Sequence, residues 1–165
     1  KKLTSWRSYR ERQEQLKKLM DVEIPKNSKE IAVARSYGDL SENHEYKAAK
    51  EMQGILLKRR GEIENDLGEV GGTNFAGFPA DVVGLGTSVE LETAGGQKRI
   101  LHILGEWDRD EKLGVISSRS RMAELLKGHR KGDSVMIPSD NGEEKSLIAV
   151  VRALPDEIVV WAGGK

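Results

Sequence analysis

A single glycine separates two long, charged runs of residues that favour helix. Gly38 is the only glycine before Gly54, and each run carries apolar side chains at helical spacing. Glycine permits the positive φ that a tight reversal of the chain often requires. The pattern predicts two antiparallel helices that meet at Gly38, the first over residues 5–37 and the second over residues 40–68.

The apolar residues of each run form a narrow stripe of the kind found in a coiled-coil seam. Pro25 interrupts the first run and predicts a kink or a short break, because proline removes a hydrogen bond from a helix. In the second run the stripe keeps a helical period and consists of Tyr46, Ala49, Met52, Leu56, Ile63 and Leu67. We therefore expect an N-terminal antiparallel α-helical coiled-coil hairpin.

The sequence changes character after this hairpin. The glycines that cluster in residues 68–86 predict a linker or an irregular connection. Strand-like alternation follows in residues 87–93 and 98–104, which flank a turn at Gly95-Gly96, and Asn141-Gly142 predicts a second hairpin. These signals indicate an antiparallel sheet in the second half of the chain.

Two shorter segments complete the predicted sheet domain. Ser120 is a candidate N-cap for a short helix that ends at Leu126, and Glu157–Val160 is a candidate strand that closes the sheet. The expected fold class is α+β, with the hairpin followed by an antiparallel sheet and one short helix. The expected domains are residues 1–75 for the hairpin and residues 80–165 for the sheet.

Charge and cysteine content exclude several classes of protein. The 27 Lys and Arg residues balance the 27 Asp and Glu residues, so the chain is not a generally basic nucleic-acid binder. The absence of cysteine excludes disulfides and thiolate zinc sites. No apolar run approaches the roughly 20 residues that span a bilayer, and the basic N-terminus lacks the apolar core of a signal peptide. We expect a soluble, cytoplasmic monomer with no membrane partner.

Three carboxylates, Asp39, Glu42 and Glu45, lie at or just after the predicted reversal. One explanation is structural, because Asp39 is a good N-cap and Glu42 follows at the spacing of a capping box. Acidic residues in a first helical turn also complement the helix dipole. The other explanation is chemical, because a thin helical rod with acids at its end could deliver charge into a recess. The residues by themselves leave both explanations open.

A dense motif surrounds these acids and extends over residues 34–53 without an insertion or deletion. Its positions are Ala34, Arg35, Gly38, Asp39, Leu40, Glu42, Asn43, Glu45, Tyr46, Ala48, Ala49, Glu51 and Gln53. This motif closely resembles the hairpin tip of the bacterial Gre transcript-cleavage factors. The second half of those factors resembles the FKBP prolyl-isomerase fold, and the order of elements predicted here agrees. The family usually has Ser-Pro at the start of its short helix, whereas this chain has Ser120-Arg121.

The resemblance implies a transcription elongation factor that binds bacterial RNA polymerase with its FKBP-like domain. Its hairpin would enter the secondary channel and stimulate the polymerase's own cleavage of backtracked RNA at the nascent 3′ end. The factor would not be an enzyme by itself. The resemblance also implies that Asp39 and Glu42 are catalytic and help to hold a Mg²⁺ that is bound only in the complex. Glu45 and Tyr46 would support them.

Mg²⁺ prefers oxygen ligands, and one or two protein carboxylates suffice when another molecule supplies the rest. Near these acids, Arg35 and Lys50 are the candidate nucleic-acid-binding residues, because cations at the tip could hold RNA phosphates. Basic residues occupy the matching positions of the family. The alternative for both side chains is a solvated helix face with pairs between successive turns.

Two other functions stay open. A Gre-like protein could occupy the channel as a modulator or inhibitor of polymerase without stimulating cleavage. An unrelated possibility is a coiled-coil adaptor that carries a ligand-binding α+β domain. An independent enzyme is disfavoured, because no serine is paired with a base and the three histidines lack the spacing of metal ligands.

Overall fold

A computed structural model describes residues 2–39 and 43–164. The chain forms two compact units, each of which is described by itself. One unit spans Arg10–Glu69, and the other joins the residues up to Tyr9 to those from Val70 onward. The domain ranges expected from the sequence, 1–75 and 80–165, stay a prediction.

Three helices and one π-helical segment build the hairpin. The first arm consists of α1 (Trp6–Lys18), a π segment (Leu19–Glu23) and α2 (Ile24–Arg35), and the second arm is α3 (His44–Glu69). The predicted helical hairpin is confirmed. Its second helix begins at His44 rather than at residue 40, and its first helix begins at Trp6, one residue after the predicted start at residue 5.

The π segment explains how the first arm accommodates Pro25. The Ile24 N–H donates to the Leu19 carbonyl, five residues earlier. In a regular α-helix the proline ring clashes with the carbonyl four residues before it, and proline has no N–H to donate. A wider turn just before Pro25 relieves that crowding. The helix therefore continues through the predicted interruption instead of breaking there.

The hairpin seam is narrow and apolar, with one polar exception. Asn27 is 3% exposed, and its Nδ2 donates to the Ala49 carbonyl of the opposite helix at 3.0 Å. A buried amide favours the one helix register in which it finds a partner. The buried apolar residues of the seam are Leu19, Ile31, Ala34, Ala49, Leu56 and Ile63.

The other unit contains a five-stranded sheet with strand order β5-β4-β3-β7-β6. The strands are β3 (Thr87–Thr93), β4 (Lys98–Leu104), β5 (Val115–Ser117), β6 (Ser134–Ser139) and β7 (Gly142–Ala153). Both predicted hairpins are present, as β3–β4 and β6–β7. The β4–β5 pair is parallel, and every other neighbouring pair in this sheet is antiparallel. The predicted α+β class is confirmed.

The last element differs from the prediction. Asp156–Ala162 forms a helix, α5, where a closing strand was expected over Glu157–Val160. Ile158 and Ala162 are four residues apart and fully buried, which is the spacing of one helix face. A short apolar run fits a strand or a helix equally well, and here packing of that face decides. With α4 (Arg121–Leu126), the unit has two short helices instead of one.

The glycine-rich stretch is packed rather than open. Its first part, β2 (Val70–Thr73), pairs in parallel with β1 (Lys2–Ser5). Further on, Phe75 and Val83 are each 2% exposed and belong to the apolar core. The expectation of a linker is therefore wrong for these residues, whereas the alternative of an irregular connection is confirmed for residues 74–86, which contain no helix or strand.

A buried carboxylate attaches the first residues of the chain to the sheet unit. Asp108 is fully buried and accepts hydrogen bonds from the Ser5 N–H at 2.8 Å and the Gly105 N–H at 2.7 Å. It also accepts from the hydroxyls of Ser5 and Ser8, at 2.5 and 2.6 Å. These bonds compensate the cost of burying a charged group. They explain why β1 belongs to this unit.

Candidate functional site

The hairpin reverses immediately after α2. The Tyr37 N–H donates to the Ala34 carbonyl at 3.2 Å, and the Gly38 N–H donates to the Arg35 carbonyl at 3.4 Å. Gly38 then adopts a φ of +103°. Apart from its two chain neighbours, no described residue has an atom within 4 Å of the position that a Cβ would occupy there. The backbone angle, and not a lack of space, therefore accounts for the glycine, and the predicted reversal point is confirmed.

Asp39 follows Gly38 directly and is exposed. The helix α3 begins at His44, five residues later, so Asp39 does not cap it. The capping explanation is wrong for this residue. Glu42 lies outside the described residues, and its predicted catalytic and metal-binding roles stay predictions. Glu45 is exposed in the first turn of α3.

Asn43 is the residue that caps α3, whereas the spacing of the acids predicts the cap at Asp39. Its Oδ1 accepts a hydrogen bond from the Tyr46 N–H at 3.0 Å, which is the N-cap arrangement. Its Nδ2 donates to the Ala34 carbonyl at 2.6 Å, near the end of the opposite helix. The signal for the cap was present, because asparagine is among the strongest N-cap residues. The capping-box spacing of Asp39 and Glu42 instead predicts the cap at Asp39.

The two predicted RNA contacts occupy different surroundings. The Arg35 guanidinium carbon lies 5.8 Å from the centroid of the Tyr46 ring, a cation–π arrangement that links the end of α2 to the start of α3. Lys50 lies on the next turn of α3, where its Nζ donates to Gln53 Oε1 at 2.7 Å. Both side chains belong to exposed residues. The structure thus places Arg35 at the tip and Lys50 on the flank of the second arm.

Asp39 is a candidate ligand for the predicted shared Mg²⁺, and this metal site stays a prediction. Among residues 2–39 and 43–164, no three His, Asp or Glu side chains form a group that could hold a metal ion. Asp39 offers carboxylate oxygens, which are the ligands that Mg²⁺ prefers. A second molecule would have to supply most of the coordination sphere.

The sheet unit contains a cleft of about 1050 Å³, and a buried histidine lines it. His102 is 6% exposed, and its Nδ1 lies 2.6 Å from the Ser88 hydroxyl. Burial lowers the pKa of His102, Arg152 lowers it further, and Glu157 opposes both. A neutral, hydrogen-bonded imidazole is thus a stable part of this sheet near neutral pH.

The start of α4 carries the departure from the family pattern. Ser120 caps this helix as predicted, because its hydroxyl accepts from the Ala123 N–H at 3.2 Å and donates to the Ser117 carbonyl at 2.7 Å. Arg121 is the first helical residue and is exposed.

In the described part of the chain, no helix is long and apolar enough to cross a bilayer.

Two family descriptions match most of the chain. The family described as "Transcription elongation factor, N-terminal" matches residues 3–70, and "Transcription elongation factor, GreA/GreB, C-term" matches residues 78–153. A solved structure of GreA factor homolog 1 (Gfh1) from Thermus thermophilus is 20% identical and covers 93% of this chain and 99% of its own. Its TM-score of 0.41 is too low to support a conclusion about this protein.

Relatives in sequence agree with the family match. Transcription elongation factor GreA of Pelobacter propionicus is 40% identical over 146 residues, which are 88% of this chain and 92% of that protein. Transcription elongation factor GreA of Anaeromyxobacter sp. (strain K) is 38% identical over 146 residues, 88% of each chain. The chain belongs to the GreA/GreB family of transcription elongation factors.

Proposed function

We propose that this elongation factor binds bacterial RNA polymerase and stimulates the polymerase's own cleavage of backtracked RNA. The placement of Asp39 is the observation that carries the proposal. Its carboxylate belongs to an exposed residue at the reversal of a helical hairpin, and the start of α3 is capped by another residue. An exposed carboxylate at the end of the hairpin can enter a partner's site.

The tip residues divide the work in this proposal. Asp39, together with Glu42, contributes carboxylate oxygens to a Mg²⁺ whose other ligands come from the polymerase. When bound, that ion would help to activate the attacking water or stabilise the leaving oxygen. Arg35 and Lys50 orient the RNA near the tip through its phosphates. The hairpin supplies reach, because each arm is a helix that rises about 1.5 Å per residue.

The surface of the hairpin also favours a protein partner. Val22, Val33 and Ile55 expose 54%, 53% and 52% of their surface. Exposed apolar side chains gain no hydrophobic stabilisation in water. Their burial contributes favourably to the free energy of binding when a protein channel surrounds the hairpin. Burial of these side chains is compatible with a protein partner that surrounds the hairpin.

The experiment measures binding to polymerase first and RNA cleavage second. The protein is first tested for binding to core RNA polymerase, and is then added to a stalled, backtracked ternary complex in which the RNA is labelled. We expect binding and a faster, magnesium-dependent release of the RNA 3′ segment than polymerase achieves alone. Binding without faster cleavage would support the modulator, and failure to bind polymerase would support the adaptor.

A further inference from the structure

Two asparagine side chains bridge the arms of the hairpin, and each donates a hydrogen bond to the opposite arm. Asn27 of α2 donates to the Ala49 carbonyl of α3 at 3.0 Å. Asn43, at the start of α3, donates to the Ala34 carbonyl of α2 at 2.6 Å. The residues that supply both acceptor carbonyls are buried alanines, whose small side chains let the opposite chain come close.

Asn43 differs from Asn27 because it holds two helix ends at once. Its Nδ2 contacts the last turn of α2, and its Oδ1 caps the first turn of α3 through the Tyr46 N–H. Asp39 lies in the connection between those two ends. One side chain therefore pins both ends of the segment that carries the acidic tip.

We propose that Asn43 is a positioning residue, whose link to Ala34 fixes where the tip presents Asp39. This inference rests on the proposed function, because the position of Asp39 affects a rate only if its carboxylate acts in cleavage. Pinning the ends of a short connection reduces the number of conformations that it samples. A catalytic group displaced by about 1 Å loses on the order of 10²-fold in rate, so small displacements matter.

Serine separates the two roles of Asn43. In Asn43→Ser the hydroxyl still caps α3, because serine is as good an N-cap as asparagine. It has no amide with which to reach the Ala34 carbonyl. Asn27→Ser is the matched control, since it removes the corresponding bond to Ala49 away from the tip. Helical content by circular dichroism reports whether each variant keeps its fold.

The first measurement is a distance and requires no activity. The chain has no cysteine, so nitroxide labels attach only at Tyr37→Cys and Lys47→Cys, two exposed positions on either side of the tip. Electron paramagnetic resonance on the free protein then gives the distribution of distances between the labels. We expect Asn43→Ser to broaden this distribution and Asn27→Ser to leave it unchanged.

The second measurement is stimulated RNA cleavage by the unlabelled variants, titrated against backtracked polymerase. We expect Asn43→Ser to lower the maximal rate about tenfold or more while the half-saturating concentration stays the same. Asn27→Ser should keep the maximal rate. This separation distinguishes positioning from a general loss of stability, which would weaken both variants alike.

Two results would overturn the inference. One is an Asn43→Ser variant with an unchanged distance distribution and an unchanged maximal rate. The other is an equal loss in both asparagine variants. If the unmutated protein stimulates no cleavage, the proposed function fails instead, and the distance distributions then decide by themselves whether Asn43 fixes the tip.

Discussion

At the residue scale, Gly38 shows how a backbone angle can constrain a site that has ample space. A methyl group at this position would meet no atom of the described residues within 4 Å beyond its chain neighbours, yet the φ of +103° is one that L side chains rarely adopt. The reversal places Asp39 beyond the end of α2 and before Asn43. Conformational strain, rather than steric overlap, is the cost of any substitution here.

The stability of Gly38 variants should therefore depend on how well the new residue tolerates a positive φ, and not on the size of its side chain. Gly38→Val should destabilise the hairpin by about 1–3 kcal/mol, because a β-branched residue is strained in this conformation. Gly38→Asn should cost less, because asparagine tolerates positive φ better than other residues. Chemical denaturation followed by circular dichroism measures both. Equal stability of the valine variant and the unmutated protein would show that the positive φ is not required.

His102 should make the stability of the sheet unit depend on pH. Burial lowers its folded-state pKa below the usual 6.5, so the unfolded chain binds the proton more readily. The free energy of unfolding should then fall as the pH decreases through 6.5 toward the folded pKa, and should be constant for this group above that window.

His102→Gln removes the titrating group and keeps a polar side chain beside Ser88. Its free energy of unfolding should depend less on pH across this window than that of the unmutated protein. Denaturant titrations at several pH values provide the comparison. An identical pH dependence in both proteins would show that another group is responsible.

At the element scale, structures with a local signal were predictable and those set by distant packing were not. The β6–β7 hairpin follows from Asn141-Gly142, and the α4 cap follows from Ser120, because each signal lies within a few residues of its effect. The pairing of β1 with β2 joins residues almost seventy positions apart and has no local signal. The tip was partly predictable. The reversal at Gly38 has a local signal, but the roles of Asp39 and Asn43 depend on the residue at which α3 begins, and this was not predictable from the sequence.

The packing of β1 depends on a glycine in the neighbouring loop. A Cβ at Gly105 would overlap the backbone of Leu3 and Thr4, which cannot move as a flexible side chain can. Gly105→Ala should therefore destabilise the sheet unit by about 1–3 kcal/mol, the usual cost of overpacking. Gly84→Ala is the control, because no atom in the described part of the chain, other than its chain neighbours, lies within 4 Å of its Cβ position. Denaturant unfolding that shows equal effects of both substitutions would contradict this account of β1.

At the scale of the whole molecule, the hairpin is an insertion in the sequence of the sheet unit. The chain leaves that unit after Tyr9 and returns to it at Val70. The overall charge of zero gives the protein no general attraction to nucleic acid. In the proposed function, specificity comes instead from a few charges at the end of the insertion.

This connectivity predicts which truncations fold. A chain reduced to residues 80–165 loses β1, β2 and Phe75, and it leaves the buried Asp108 without its donors from Ser5 and Ser8. It should unfold at a lower denaturant concentration than a chain in which only residues 10–69 are replaced by a flexible linker. If the fragment of residues 80–165 is as stable as the linker variant, the first residues of the chain contribute nothing to the stability of the sheet unit.

The central claim is that the charge of Asp39 acts in cleavage. Asp39→Asn keeps the size of the side chain and removes its charge, and Asp21→Asn makes the same change at an exposed position elsewhere in the hairpin. Cleavage of backtracked RNA at saturating factor, alongside competition with the unmutated protein for polymerase, is the direct measurement. We predict that both variants bind normally, that Asp21→Asn cleaves at the unmutated rate, and that Asp39→Asn loses on the order of 10²-fold in rate. Normal binding together with an unmutated rate of cleavage by Asp39→Asn would contradict the claim.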